Sequence, residues 1–308
     1  MTQSYHLRIG TRGSPLALAQ AHELQQRLAA AGGVPESAIE VRVFRTTGDR
    51  IQDRSLAEAG GKGLFTKEIE DALLAREVDV AVHSAKDLPT WLPDGLLLVG
   101  CLEREDVRDV FLSPHAQRPE LLPQGARVGT ASPRREAMMK RLRPDLRVET
   151  LRGNVETRLR KLEEGVVDAT LLALAGLKRL RREGVATCIL SADEFLPAVG
   201  QGAIAVECRE DDARTHELLA GVAHTATTIA IETERAFLAA LDGSCRTPIA
   251  GYAQVDGHDV HFRGLILRAD GSETHATTRE GRIAEAIALG RDAGDELKRR
   301  APADFFEV

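Results

Sequence analysis

A chain of 308 residues, 43% hydrophobic and 29% charged, has the length for two or three domains and the composition of a globular protein rather than a disordered or repetitive one. Its net charge of -6 argues against bulk nucleic-acid binding, and with 4% aromatic residues it offers few base-stacking platforms. No apolar run approaches the roughly 18 residues of a membrane helix. Cys101, Cys188, Cys208 and Cys245 lack paired spacing and suggest neither a disulfide framework nor a CxxC metal site. Met1-Thr2-Gln3-Ser4 lacks the basic start and apolar run of a signal peptide, so a cytoplasmic protein with reduced thiols and no membrane partner is expected.

Leu7 to Thr11 reads as a short buried strand, and Ser14-Pro15 as an N-cap with proline at the first helical position. Ala17, Ala21, Leu24 and Leu28 mark the apolar stripe of the helix that follows. Arg12 and Ser14 sit at the strand-to-helix turn, where outward backbone N–H groups favour an anion. Ile39 to Thr46 alternates as a strand, Gly60-Gly61-Lys62-Gly63 is a glycine-rich loop without Walker spacing, and Leu64 to Ala75 returns to helical periodicity, a βαβ rhythm. Val78 to Val82 is a near-continuous buried strand. The polar cluster after it makes Ser84, Lys86 and Asp87 candidates, because open α/β sheets bind ligands beyond their strands' carboxyl ends.

Asp109 to Leu112 opens a second βα run, and Arg127 to Thr130 leads into Ser132-Pro133-Arg134-Arg135, repeating the strand, Ser-Pro cap and arginine arrangement of Arg12 to Pro15. Two similar lobes are predicted. Val148 to Arg152 reads as a strand ending at Gly153-Asn154, and Asp168 to Ala175 as the next. Between Arg127 and Arg182 stand fifteen Lys and Arg against seven Asp and Glu, a local charge of +8 in a chain whose remainder is near -14. Twelve of the fifteen are arginines, whose planar fork fits carboxylates, so an anionic ligand follows. Arg134, Arg135, Arg152 and Arg179 fall at or beyond strand ends and Arg158 one helical turn later, so they are expected to converge on one cleft. Arg141, Arg143, Arg181 and Arg182 lie further along helices and read as solvated.

Pro197 to Gly202 reads as a connector, and Ala203 to Glu207 as a strand returning to the first lobe. From about Thr225 a small α+β unit begins, with a helix over Thr227 to Leu241, strands at Ile249 to Val255, His261 to Leu267 and Glu273 to Thr278, and a helix over Ala284 to Arg299. Cys245 lies on the Asp242-Gly243-Ser244 turn before Pro248, where a thiol can be reached.

The ordered motifs Arg8-Ile9-Gly10-Thr11-Arg12, Gly60-Gly61-Lys62-Gly63-Leu64-Phe65, Val82-His83-Ser84-Ala85-Lys86-Asp87, Val128 to Arg135, Leu151 to Val155, Pro197 to Gly202 and the Cys245 loop make the chain resemble the porphobilinogen deaminase family over nearly its whole length. The resemblance implies an α/β protein with two lobes like those of periplasmic binding proteins, residues 1–102 with 203–220 and residues 108–196, plus a small α+β domain over 225–308. It implies a dipyrromethane cofactor joined by a thioether to Cys245, onto which four porphobilinogens are coupled head to tail with loss of ammonia before hydrolysis releases hydroxymethylbilane. Asp87 is then the catalytic carboxylate, facing pyrrole N–H groups and the azafulvenium cation left by ammonia.

By the same resemblance Arg12, Ser14, Ser84, Lys86, Thr130, Ser132, Arg134, Arg135, Arg152, Arg158, Arg179 and Gln201 hold cofactor or substrate side chains, and Lys62 and Phe65 belong to a mobile loop. A monomer is expected. Glu58, where many relatives carry a basic residue, and Ser244, where glycine is common, depart from the pattern. The rival readings are a two-lobed carboxylate binder without catalysis and an RNA-binding protein using the +8 segment, and both leave Cys245 unexplained.

Overall fold

The computed structural model describes residues 7–50, 63–243, 247–302 and 304–306, which build three sheets. Its described part falls into two compact units, residues 7–50, 63–104 and 203–228 in the first and the remainder in the second.

The first unit runs β1 (Leu7–Arg12), α1 (Pro15–Gly32), β2 (Ile39–Phe44), α2 (Thr47–Arg50), α3 (Lys67–Leu74), β3 (Val80–Ser84) and β4 (Leu96–Cys101). Its predicted helix forms as its sequence demands: the Ser14 hydroxyl accepts from Ala17 N at 3.3 Å, Pro15 opens the first turn, and Ala17, Ala21, Leu24 and Leu28 are buried against the sheet.

The second unit continues with β5 (Asp109–Leu112), β6 (Arg127–Gly129), α4 (Pro133–Leu142), β7 (Arg147–Glu149), α5 (Val155–Glu163), β8 (Ala169–Ala173), α6 (Leu174–Arg179) and β9 (Cys188–Ile189). The chain then forms β10 (Ile204–Arg209) and α7 (Ala213–Ala220), followed by α8 (Thr225–Ala240), β11 (Ile249–Asp256), β12 (Asp259–Leu267), β13 (Thr274–Arg282) and α9 (Ala286–Arg300).

The first sheet has the order β2-β1-β3-β10-β4 and the second β7-β6-β8-β5-β9; in each, three parallel strands are followed by one antiparallel strand. The strand after the connector does join the first sheet, as β10. The likeness of the lobes extends to side chains. Arg8 on β1 forks onto Asp79 at 2.9 and 2.7 Å, and Arg127 on β6 forks onto Asp168 at 3.3 and 2.9 Å. Each arginine thus clips the amino end of its strand to the start of the parallel neighbour.

β11-β12-β13 form an antiparallel meander over which α9 packs. Phe237, Phe262, Ile266 and Leu297 fill its core, while Ala250 and Leu267 join the core of the second sheet. Several elements were not assigned from sequence, among them α2, β4, β9 and α7. The Leu96–Cys101 run is apolar without alternation, a pattern periodicity cannot tell from helix, and β9 has two residues.

Candidate active site

β1 and β3 are parallel neighbours, pairing Ile9 with Val80 and Gly10 with Ala81, so their carboxyl ends reach the same sheet edge. Arg12 ends β1, Ser14 caps α1, and Ser84 ends β3 before a single 3-10 turn over Ala85–Asp87. A pocket at this edge is lined by Arg12, Ser14, Phe65, His83, Ser84 and Asp87, with Gln20 from α1. Arg12 Nη1 lies 3.9 Å from Asp87 Oδ2, and its guanidinium sits 4.2 Å above the Phe65 ring. At 3.9 Å the charges attract without a hydrogen bond, and with Arg12 21% and Asp87 32% exposed the contact contributes little to stability. The carboxylate is therefore placed to accept hydrogen bonds from a ligand. The Ser84 hydroxyl is held by the Gln20 amide, which donates at 2.9 Å. Lys86 occupies the same turn as Asp87.

Sequence reasoning passed over Gln20 and His83. Gln20, 3% exposed on the buried side of α1, is a polar residue among Ala17, Ala21 and Leu24, and that break in the apolar stripe was the available signal.

In the second unit the candidates lie along the carboxyl edge of β6, β7 and β8. Thr130 is 4% exposed, its N donates to Glu149 O and its hydroxyl accepts from Ser132 N at 3.1 Å. Ser132 caps α4 by accepting from Arg135 N at 3.4 Å, and Asn154 caps α5 by accepting from Thr157 N at 2.9 Å. Gly153, at φ 121°, makes the turn between Arg152 and that cap, a conformation that favours glycine. Arg158 Nε donates to Gly153 O at 2.9 Å, and Arg179 Nη2 donates to Gly202 O at 3.0 Å.

Arg134 and Arg135 are placed differently from the open strand-end charges expected. Both are buried, at 3% and 5% exposure, because they sit on the face of α4 that packs on the sheet. Asp109, fully buried at the start of β5, accepts from Arg134 Nη2 at 2.6 Å and from Arg135 Nη2 and Nε at 2.6 and 3.1 Å. Gln201, 1% exposed, adds its amide to the same carboxylate at 3.0 Å and to Val107 O at 2.8 Å. Burial pushes the Asp109 carboxyl up, but the fields and hydrogen bonds of the two guanidiniums outweigh it and hold the group well below the usual carboxylate range. Burial pushes Arg134 down, Asp109 opposes this, and Arg135 adds to it.

Arg143 likewise departs from the solvated reading: it forks onto Asp145 at 2.7 Å through both Nε and Nη2, and its Nη1 holds Glu120 O and Leu122 O. Arg141 does remain exposed, donating to Thr274 at 3.0 Å.

Lys62, Cys245, Glu58 and Ser244 lie outside the described residues. Before Cys245 the chain leaves α8 through Asp242, at φ 52°, with Gly243 N donating to Leu238 O, and beyond it β11 begins at Ile249. Of the described cysteines, Cys101 and Cys208 are buried and Cys188 half-buried. Burial pushes the Cys208 thiol up to about 12, leaving it inert near neutrality.

Residues 7–217 match the family model described as "Porphobilinogen deaminase, dipyromethane cofactor binding domain", and residues 228–299 match "Porphobilinogen deaminase, C-terminal domain". The chain belongs to the porphobilinogen deaminase family. It is 61% identical to the porphobilinogen deaminase of Nitrobacter winogradskyi over 97% of this chain and 95% of that one, and 56% identical to that of Paracoccus denitrificans over 98% and 96%. A putative methionine-binding lipoprotein of Bacillus subtilis is similar in structure, at TM-score 0.45 and 13% identity over 72% of this chain and 91% of that one.

The family's dipyrromethane combines pyrrole N–H groups with carboxylates, and the side chains present suit both. Asp87 is an acceptor in a pocket otherwise supplied with the Arg12 cation and hydroxyls, while Thr130, Arg152 and Arg158 line an edge rich in donors.

Proposed function

We propose that this chain is the deaminase that couples four porphobilinogen units head to tail, with release of ammonia, and hydrolyses the product to hydroxymethylbilane in tetrapyrrole biosynthesis. The observation that carries the site assignment is the pocket where β1 and β3 end together, in which the Asp87 carboxylate faces Arg12 without being consumed by it. We assign it to the transferases, as a cytoplasmic monomer in three domains, 1–102 with 203–220, 108–196 and 225–308. Among the described residues no helix is long and apolar enough to cross a membrane.

The dipyrromethane, held through a thioether at Cys245, supplies a covalent primer that keeps the growing chain on the enzyme. Asp87 accepts the pyrrole N–H of the incoming unit and, as a fixed anion, lowers the energy of the cation that develops as ammonia leaves; one such group contributes on the order of 3 kcal/mol to a transition state. Arg12, Ser14, Ser84 and Lys86 orient acetate and propionate groups in the first unit. Thr130, Ser132, Arg152, Arg158 and Arg179 do so in the second, with Lys62 and Phe65 as further ligand-binding residues. Arg134, Arg135 and Gln201 contribute chiefly by fixing the edge through Asp109. Phe65 stacks on Arg12 and so limits the directions in which that guanidinium can point.

The test is mass spectrometry of the holoenzyme given limiting porphobilinogen. Covalent species should form a ladder, each heavier than the last by one substrate less ammonia. Asp87→Asn keeps the shape and an acceptor oxygen but loses the charge, so its rungs should form at least roughly 100-fold more slowly. A native ladder rate in Asp87→Asn would place the chemistry on another group.

A further inference from the structure

Behind the pocket lies a group of ionisable side chains that the reaction described above leaves unused. His83, next to Ser84 on β3, lines the pocket and is 4% exposed; Glu207 on β10 is fully buried, and Glu70 on α3 is 5% exposed. The antiparallel register sets Ala205 opposite His83 and Glu207 opposite Ala81. His83 and Glu207 are therefore diagonal neighbours on one sheet face, the face where Ala81 packs with Ile69 and Leu73 of α3.

His83 Nε2 stands 3.6 Å from Glu207 Oε2, beyond hydrogen-bond length. That nitrogen, both Glu207 oxygens and Glu70 Oε1 are buried without a hydrogen-bond partner in the protein. Polar atoms in that condition are costly, and a buried carboxylate without donors more so, a cost that an imidazolium beside it would relieve. Burial pushes the Glu70 carboxyl up and Glu207 pushes it further, while Thr66 and His83 oppose this. The charged groups around the pair are Glu70 from α3, the buried Arg209 two residues beyond Glu207 on β10, whose Nη1 donates to Leu73 O, and, at the pocket end, Arg12 and Asp87.

We propose that His83 and Glu207 form the proton-holding pair of this site, His83 taking up the proton freed in the pocket at each coupling and Glu207 balancing the imidazolium, so that Asp87 stays anionic. This rests on the deaminase reading. When the C–N bond of the aminomethyl ammonium breaks, its electron pair leaves with nitrogen as neutral ammonia. Formation of the C–C bond then frees one proton, and proton and ammonia together make the ammonium ion released. Between these events the proton needs a base. Were Asp87 to keep it, the fixed charge that favours the next cation would be lost. An imidazole backed by a buried anion takes the proton without creating net charge, because the pair goes from -1 to neutral. The 3.6 Å separation leaves room for the contact to tighten on uptake. Glu207 is a positioning residue, since it acts through His83.

The experiment is the pH profile of ammonia release from porphobilinogen by the holoenzyme, its Glu207→Gln variant and its His83→Ala variant. Native enzyme that releases no ammonia refutes the deaminase reading itself, so the two ideas fail separately. Given an active native enzyme, Glu207→Gln should lower kcat on the order of 10²-fold with little change in KM, and the deficit should shrink as pH rises and solvent bases take over. His83→Ala should show a similar deficit and recover at least tenfold in millimolar imidazole, which a purely structural role would not produce. A native profile in Glu207→Gln, or a pH-independent loss in both variants without imidazole rescue, overturns the proposal.

Discussion

Replacing Asp109 with Asn tests whether the arginine pair after the second Ser-Pro cap is architectural. Asp109 is fully buried and accepts four hydrogen bonds, two from Arg135 and one each from Arg134 and Gln201. The amide retains one acceptor oxygen but turns an NH2 toward a guanidinium and leaves two buried cations without an anion. Removing one partner of a buried ion pair costs about 3–5 kcal/mol, and for a unit of this size each kcal/mol lowers Tm by about 2–4 °C, so a fall of roughly 10 °C is expected.

Differential scanning calorimetry at pH 7 measures it. The pH dependence has a definite sign. The folded carboxyl is depressed relative to its unfolded value, so the stability it contributes is complete at neutral pH and fades once pH drops below about 4. The gap between native protein and Asp109→Asn should therefore narrow with acid. A variant melting within about 2 °C of native at pH 7, or a gap that widens on acidification, would refute the reasoning. Substituting Leu, Met and Leu at Asp109, Arg134 and Arg135 together should restore much of the Tm, because apolar replacement of an entire buried charge cluster is often neutral. Loss of cofactor assembly in that refolded variant would show that the arginines also read the primer.

The intact mass of the purified protein should exceed its sequence mass by one dipyrromethane, and Cys245→Ala should abolish the increment; an increment mapping to Cys101, Cys188 or Cys208 would contradict the attachment site. Arg143→Leu should lower stability by about 1–2 kcal/mol in urea unfolding, because two carbonyls and Asp145 lose their donor, whereas Arg141→Leu should lie within about 0.5 kcal/mol of native. Alkylation of the folded protein at pH 8 should spare Cys208, whose thiol burial pushes up to about 12, and its rapid labelling would show that β10 opens.

Local chemistry made much of this fold legible before any coordinates. Ser14-Pro15 and Ser132-Pro133 each encode a capped helix start, and the stripe from Ala17 to Leu28 repeats at the helical period, so both helix starts and the buried face of α1 could be written down directly. The strand ahead of Ser14 and the strand Val78 to Val82 placed Arg12, Ser84 and Asp87 at a carboxyl edge, and the pocket is found there. Ordered motifs along the chain carried the family.

What pairs across the chain was not legible, because it depends on contacts between residues far apart in sequence. Arg134, Arg135, Arg141 and Arg143 lie on one short arginine-rich stretch, yet two are buried on Asp109, one braces carbonyls near Asp145 and one stays exposed. Only the docking of α4 on β5 and β8 decides which is which, since helical phase tells a face from its opposite but not what waits beneath it. Likewise nothing near His83 announces Glu207, which reaches its face only because β10 enters the first sheet antiparallel in a particular register. A one-residue slip would turn that carboxylate to the other side of the sheet.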